Sequence, residues 1–265
     1  MNGIILAAVV VGGTGLVIAA LLGVASEKFK VPVDEIEVAV RECLPGNNCG
    51  GCGFAGCDAL AKAIASGEAN VDACPVGGAS VAGQIAGIMG VEALDAEKQV
   101  AFVRCAGSCD KAKTKYIYSG NEDCVSAVSV PGGGPKACEY GCTGFGTCVR
   151  VCEFDAIHIV DGIAKVDPEK CVACGQCVSA CPKALIELIP YTASKEGLKV
   201  HCRSRAFGKP VKAACSVGCI GCKMCTRVCE TGAITVEDNI ARIDYSKCTG
   251  CGACAEKCPS KIIFI

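Results

Sequence analysis

Residues 219–229 read CIGCKMCTRVC, and residues 248–259 read CTGCGACAEKCP. Each run spaces its thiols Cys-x2-Cys-x2-Cys-x3-Cys, and the second closes on Pro259. This spacing holds two [4Fe–4S] clusters, with the fourth cysteine of each run reaching the other cluster. One cluster then takes Cys219, Cys222, Cys225 and Cys258. Its neighbour takes Cys248, Cys251, Cys254 and Cys229. Between the runs, Ala233–Val236 and Ile240–Ile243 flank Glu237-Asp238-Asn239 and read as a β-hairpin.

A sister cassette lies upstream. Residues 136–157, KACEYGCTGFGTCVRVCEFDAI, align without a gap when Cys138, Cys142, Cys148 and Cys152 are set on Cys215, Cys219, Cys225 and Cys229. Cys171, Cys174, Cys177 and Cys181-Pro182 then match the 248–259 run, and both copies place 18 residues between their runs. Asp161-Gly162 supplies the hairpin turn of this copy. The chain therefore carries an internal duplication. Phe145 stands where the second copy has Cys222, so the first copy needs a substitute ligand. Cys138 is the sequence choice, giving Cys138, Cys142, Cys148 and Cys181 for one cluster. Cys171, Cys174, Cys177 and Cys152 form the other.

Nearer the N-terminus, Cys49-x2-Cys52-x4-Cys57-x16-Cys74 offers three closely spaced thiolates and one remote one, a set that closes a cubane. A zinc site is the alternative, although zinc modules usually oppose two Cys-x2-Cys pairs. Cys57 falls at the start of a predicted helix ending at Gly67, where the dipole favours a thiolate. Five clusters use 20 of the 26 cysteines. Of the rest, Cys43 reads as a spare thiol, while Cys105, Cys109 and Cys124 with Cys202 or Cys215 could hold a sixth cluster. Free buried thiols are the competing reading of that group.

Ile4–Ser26 is a run of uncharged residues, long enough as a helix to cross a hydrocarbon core. A cleaved signal peptide is the alternative, but no basic residue precedes the run. Lys28 and Lys30 follow it and place the cluster domains on the cytoplasmic side of the cell membrane, where reducing conditions keep thiols free. Gly15, Ala19 and Gly23 form a small-residue seam suited to a partner helix.

The 265 residues carry a formal charge of −1. This balance gives no basic surface for nucleic acid. No Gly-x-Gly-x-x-Gly follows a strand, so no direct NAD or flavin site is expected, and no catalytic side chain stands out. His201 reads as solvated. Residues 195–212 carry six Lys or Arg against one Glu and read as a solvated linker, or alternatively as a docking face for an acidic donor. The expected fold class is α+β: a single N-terminal transmembrane helix (1–26), a small α-rich [4Fe–4S] module with flanking helices (27–101), and two tandem ferredoxin-like domains. These span 102–194, including a cysteine-containing N-terminal extension, and 195–265.

The anchor, the LPG-N-NCGGCGFAGC module at 44–57 and the tandem cassettes together resemble the B subunit of the Rnf complex, in its extended clostridial form. The resemblance implies one component of an ion-translocating ferredoxin:NAD+ oxidoreductase. It would accept electrons from soluble ferredoxin and relay them toward flavin-bearing and membrane subunits, with NAD+ reduction coupled to Na+ or H+ export. Membrane lipid would be met through residues 4–26. The alternative is a membrane-tethered polyferredoxin serving another reductase without ion coupling.

Overall fold

The computed structural model describes residues 2–28, 34–92 and 97–264. The boundary expected after residue 26 falls within the first helix, and Lys30 lies outside these segments. Four helices come first: α1 (Asn2–Lys28), α2 (Glu35–Cys43), α3 (Cys57–Ala65) and α4 (Gly78–Met89). Asp34 caps α2 through Ile36 N–H at 2.9 Å. The apolar faces of α2, α3 and α4 close a small core around Val40, Leu60, Ile64 and Ile85. The α-rich module is therefore self-contained, with Cys57 held at the first turn of α3.

Next come β1 (Gln99–Val103), α5 (Cys124–Val128), α6 (Thr147–Arg150), β2 (Ile157–Val160), β3 (Ile163–Val166), α7 (Gln176–Ala180) and β4 (Ile186–Pro190). After α8 (Tyr191–Lys195) follow β5 (Lys199–Val200), α9 (Lys209–Ala214), α10 (Met224–Arg227), β6 (Ile234–Glu237), β7 (Ile240–Ile243), α11 (Ala253–Glu256) and β8 (Ile263–Phe264). Each cassette has one inner hairpin and one outer antiparallel pair: β2–β3 with β1–β4, then β6–β7 with β5–β8. The hairpins turn on Asp161-Gly162 and Asp238-Asn239, each pair left-handed. Their alternating burial is identical strand for strand, so the duplication extends to which face meets the core.

In every run the third cysteine lies on a one-turn helix: Cys148 on α6, Cys177 on α7, Cys225 on α10 and Cys254 on α11. The residue before each helix is left-handed, and it is Gly146, Gly175, Lys223 and Gly252 in turn. That twist reverses the chain so that consecutive thiols turn toward one centre.

Arg104 ties the cassettes together. Its side chain is 2% exposed, and it donates to the Ala241 carbonyl at 2.5 Å while facing Glu187 at 3.4 Å. His201 is not solvated. It stacks on Phe264 with ring centres 3.8 Å apart and meets Phe102 edge-on, and burial lowers its pKa to about 4. The α+β ferredoxin cassettes are present as expected, but the transmembrane helix is not established. Among the described residues no helix is long and apolar enough to cross a membrane.

Candidate metal centres

In the first cassette, Cys152, Cys171, Cys174 and Cys177 line one cavity. Backbone N–H groups of Ala101 and Ala156 point at the sulfurs of Cys171 and Cys152, at 3.3 and 3.4 Å. Burial pushes the Cys177 thiol up to about 12, and the neighbouring thiolates of Cys171, Cys174 and Cys152 add to the rise. Such a quartet opposes its own ionisation until a cation arrives, as a cubane site does.

The companion quartet differs from the sequence expectation. Cys142, Cys148 and Cys181 line a cavity whose fourth thiol is Cys124, not Cys138. Burial pushes Cys148 up to about 12, and Cys142, Cys124 and Cys181 contribute to that rise. The physical reason is a clamp built on Asp123. Its carboxylate caps α5 by accepting from Val125 and Ser126 N–H, and it also accepts from Thr147 Oγ1 at 2.7 Å and from Arg150 on α6. Thr147 Oγ1 in turn accepts Cys124 N–H at 2.9 Å. Helix α5 is thus fastened over α6, with Cys124 beside Cys148. Cys138, four residues before Cys142, does not line this cavity but lines another together with Cys105.

In the second cassette, Cys219, Cys222, Cys225 and Cys258 line one cavity, which includes the crossing thiol from the second run. Burial pushes Cys225 up to about 11, with Cys219, Cys222 and Cys258 adding to it. Burial also raises Cys254, and Cys248 and Cys229 contribute, so the reciprocal crossing thiol is near as well. Cys251 is exposed at the rim.

In the α-rich module, burial raises Cys74, opposed by the N–H groups of Gly77 and Val76, while Cys57 and Cys52 raise it further. The Asn48 side chain accepts Cys57 N–H at 2.8 Å and sets the start of α3. Cys49 sits at the junction with the first cassette, where its carbonyl accepts from the Gln176 side chain. Cys43 packs against the module core.

The six cysteines left over by the sequence do not form the group expected of them. Cys109 is exposed near the 161–162 turn, and Cys124 belongs to the quartet above. Cys105, Cys138, Cys202 and Cys215 instead line one cavity of about 280 Å³ between the cassettes. Among the described residues no three His, Cys, Asp or Glu side chains converge closely enough to hold a single metal ion. Four cysteines lining each of three cavities, with N–H groups aimed at sulfur in the first cassette, fit iron–sulfur cubanes.

Of the six cations along 195–212, Lys195 pairs with Glu169, and Lys199 is buried with Nζ 2.5 Å from the Ser194 carbonyl. Arg205, Lys209 and Lys212 remain exposed around Phe207, itself 63% exposed. Phe207 reaches over the 219–222 loop, where a side chain added at Gly221 would stand 3.2 Å from its ring.

Family models agree with this layout. An Fe–S cluster model matches residues 44–76, a 4Fe-4S binding domain matches 164–187, and a 4Fe-4S dicluster domain matches 218–262. The chain is 47% identical to the B subunit of the Na+-translocating ferredoxin:NAD+ oxidoreductase complex of Acetobacterium woodii, covering 99% of this chain and 78% of the relative. It is 44% identical to the B subunit of the ion-translocating oxidoreductase complex of Methanosarcina acetivorans, covering 96% and 95%. Identity to the B subunit of the proton-translocating ferredoxin:NAD+ oxidoreductase complex of Clostridium ljungdahlii is 43%, covering 99% and 93%.

Proposed function

The chain belongs to the family of B subunits of ion-translocating ferredoxin:NAD+ oxidoreductase complexes, and from that membership we propose how its thiols and its first helix are used. It is an iron–sulfur electron-transfer component of an oxidoreductase complex. Five [4Fe–4S] clusters are held by Cys49/Cys52/Cys57/Cys74, Cys152/Cys171/Cys174/Cys177, Cys124/Cys142/Cys148/Cys181, Cys219/Cys222/Cys225/Cys258 and Cys229/Cys248/Cys251/Cys254. Each cluster, when bound, takes up and passes on one electron. The residues supply the rest: thiolates fix position, buried walls exclude water, and amide N–H groups balance charge at sulfur.

Soluble reduced ferredoxin docks at Phe207, Arg205, Lys209 and Lys212, beside the Cys219–Cys222 loop, and electrons leave through the α-rich module toward flavin and membrane subunits. Three exposed cations around an exposed ring support this site, since an acidic carrier would be steered there. Helix α1 anchors the chain in the cell membrane. Its 27 residues rise about 40 Å, and Leu16, Leu21 and Leu22 stand exposed, uncovered by the other described residues. Lys28 in its last turn supports a cytoplasmic position for the clusters.

The observation that carries the reading is the set of buried thiol quartets in a chain that aligns with the family over nearly its whole length. The test is anaerobic purification of the tagged chain from its native membranes, followed by assay of NAD+ reduction by reduced ferredoxin. Activity travelling with several membrane partners is the expected result. A brown chain arriving alone, from membranes whose complex survives the same detergent, would make it a tethered carrier.

A further inference from the structure

We propose that Cys105, Cys138, Cys202 and Cys215 hold a sixth [4Fe–4S] cluster at the seam between the two cassettes, and that it carries electrons from one cassette to the other. The inference rests on reading the five sites above as clusters. Its first support is symmetry. Cys138 and Cys215 are equivalent in the duplication, and Cys105 and Cys202 occupy matching places upstream of them, each in a Val-x-Cys context although 33 and 13 residues away in sequence. Each cassette therefore offers the same pair to a shared centre. The backbone repeats the pattern: Cys142 N–H donates to Cys105 Sγ at 3.4 Å, and its equivalent Cys219 N–H donates to Cys202 Sγ at 3.3 Å. Ser204 N–H adds a second donor to Cys202 Sγ at 3.5 Å.

The cavity suits a bound anion. A side chain added at Gly107 would meet both Cys215 Sγ and Cys105 Sγ, at 3.5 and 3.6 Å, so the two sulfurs flank one point. Lys136 and Arg104, both buried, stand along the wall; Lys136 Nζ donates to the carbonyls of Gly107 and Gly162 at 3.0 and 2.7 Å. The wall's carboxylate, Glu139, is 61% exposed and faces Lys115 instead. A cubane with four thiolates carries about two negative charges, which buried Lys136 offsets in part, with a share from Arg104 beyond its pairing to Glu187. The cavity is roomier than the cluster cavities, about 280 against about 20 Å³, because Pro210, Val211 and Ile262 extend it beyond the thiols.

Position supplies the function. Cys142 belongs to the nearest quartet of the first cassette and Cys219 to the nearest of the second, and each donates its amide to a seam thiol. A cluster here joins two relays that otherwise face each other across a gap. The step is a one-electron exchange: the Cys219-side cluster is oxidised as the seam cluster is reduced, and the seam cluster then reduces the Cys142-side cluster. No proton or group moves.

Iron, sulfide and zinc counted on the full chain, isolated anaerobically in detergent, decide the matter. Six clusters give about 24 irons per chain and five give about 20. The wild type is expected at about 24. A Cys138→Ser/Cys215→Ser double variant is expected at about 20, with one EPR component lost and the others kept. Cys109→Ser, at an exposed thiol, should change nothing. Wild type and double variant both at about 20 irons, or one zinc per chain lost in the variant, would overturn the seam cluster and leave the five-cluster reading standing. A wild type far below 20 would instead sink that reading. Where the double variant does not fold, the wild-type count decides alone.

Discussion

Gly51 owes its place to close approach rather than to backbone conformation, since it is absent from the left-handed glycines. A Cβ there would stand 2.6 Å from the Cys174 carbonyl oxygen and 3.0 Å from Cys174 Cα, atoms that cannot swing aside. This residue lets the α-rich module reach the Cys152/Cys171/Cys174/Cys177 site, with Gln176 fastened to the Cys49 carbonyl alongside. Gly51→Ala should weaken that docking by about 1–3 kcal/mol without removing a ligand. Hydrogen exchange at residues 49–53 and near Gln176 should quicken while the iron content holds. Unchanged exchange would show that the two parts do not depend on this contact. The glycine was visible in the sequence as one of several around the cysteines, but its partner 123 residues away was not.

At the scale of the elements, legibility followed periodicity. Both hairpins, their turns and the crossed thiol Cys258 were readable because cysteine spacing and strand alternation are local and repeat within the chain. The ligand that replaces the cysteine lost at Phe145 was not. Alignment pointed to Cys138, the nearest thiol in sequence, whereas the structure brings in Cys124 on α5 through the Asp123–Thr147–Arg150 clamp. Nothing in local spacing encodes a loop that returns, and a clamp of one Asp, one Thr and one Arg has no motif. The two thiols should therefore separate cleanly on substitution. Cys124→Ser should perturb the cluster of Cys142, Cys148 and Cys181, seen as loss or conversion of one EPR component. Asp123→Ala should do the same more weakly by releasing α5, at a cost of about 1–2 kcal/mol for the cap. Cys138→Ser should spare that cluster; if it alone removed it, the clamp would be irrelevant to ligation.

Across the whole molecule the thiol sites are linked by a succession of contacts. The α-rich module meets the first cassette at Gly51 and Cys174, and the cassettes meet at the seam where Arg104 crosses from one to the other. The sequence disclosed the number of parts through its duplication, but not the contacts between them, which depend on single side chains far apart in the chain. Charge singles out one place along this sequence of contacts. Arg205, Lys209 and Lys212 are exposed near the Cys219–Cys222 loop of the second cassette, while Lys195 and Lys199 from the same stretch are already engaged. Only the free cations can steer a carrier, and steering by exposed charge acts on encounter and is screened by salt. An Arg205→Glu/Lys209→Glu variant should therefore raise the KM for reduced ferredoxin several-fold, by roughly 3- to 10-fold at low ionic strength. Its kcat at saturating ferredoxin should stay near wild type, and the difference should shrink as salt rises toward about 0.5 M. Lys195→Glu, which exchanges a paired cation, should cost little in KM. Equal effects from both variants, or a KM indifferent to salt, would remove this face as the entry point and move ferredoxin docking to another part of the chain.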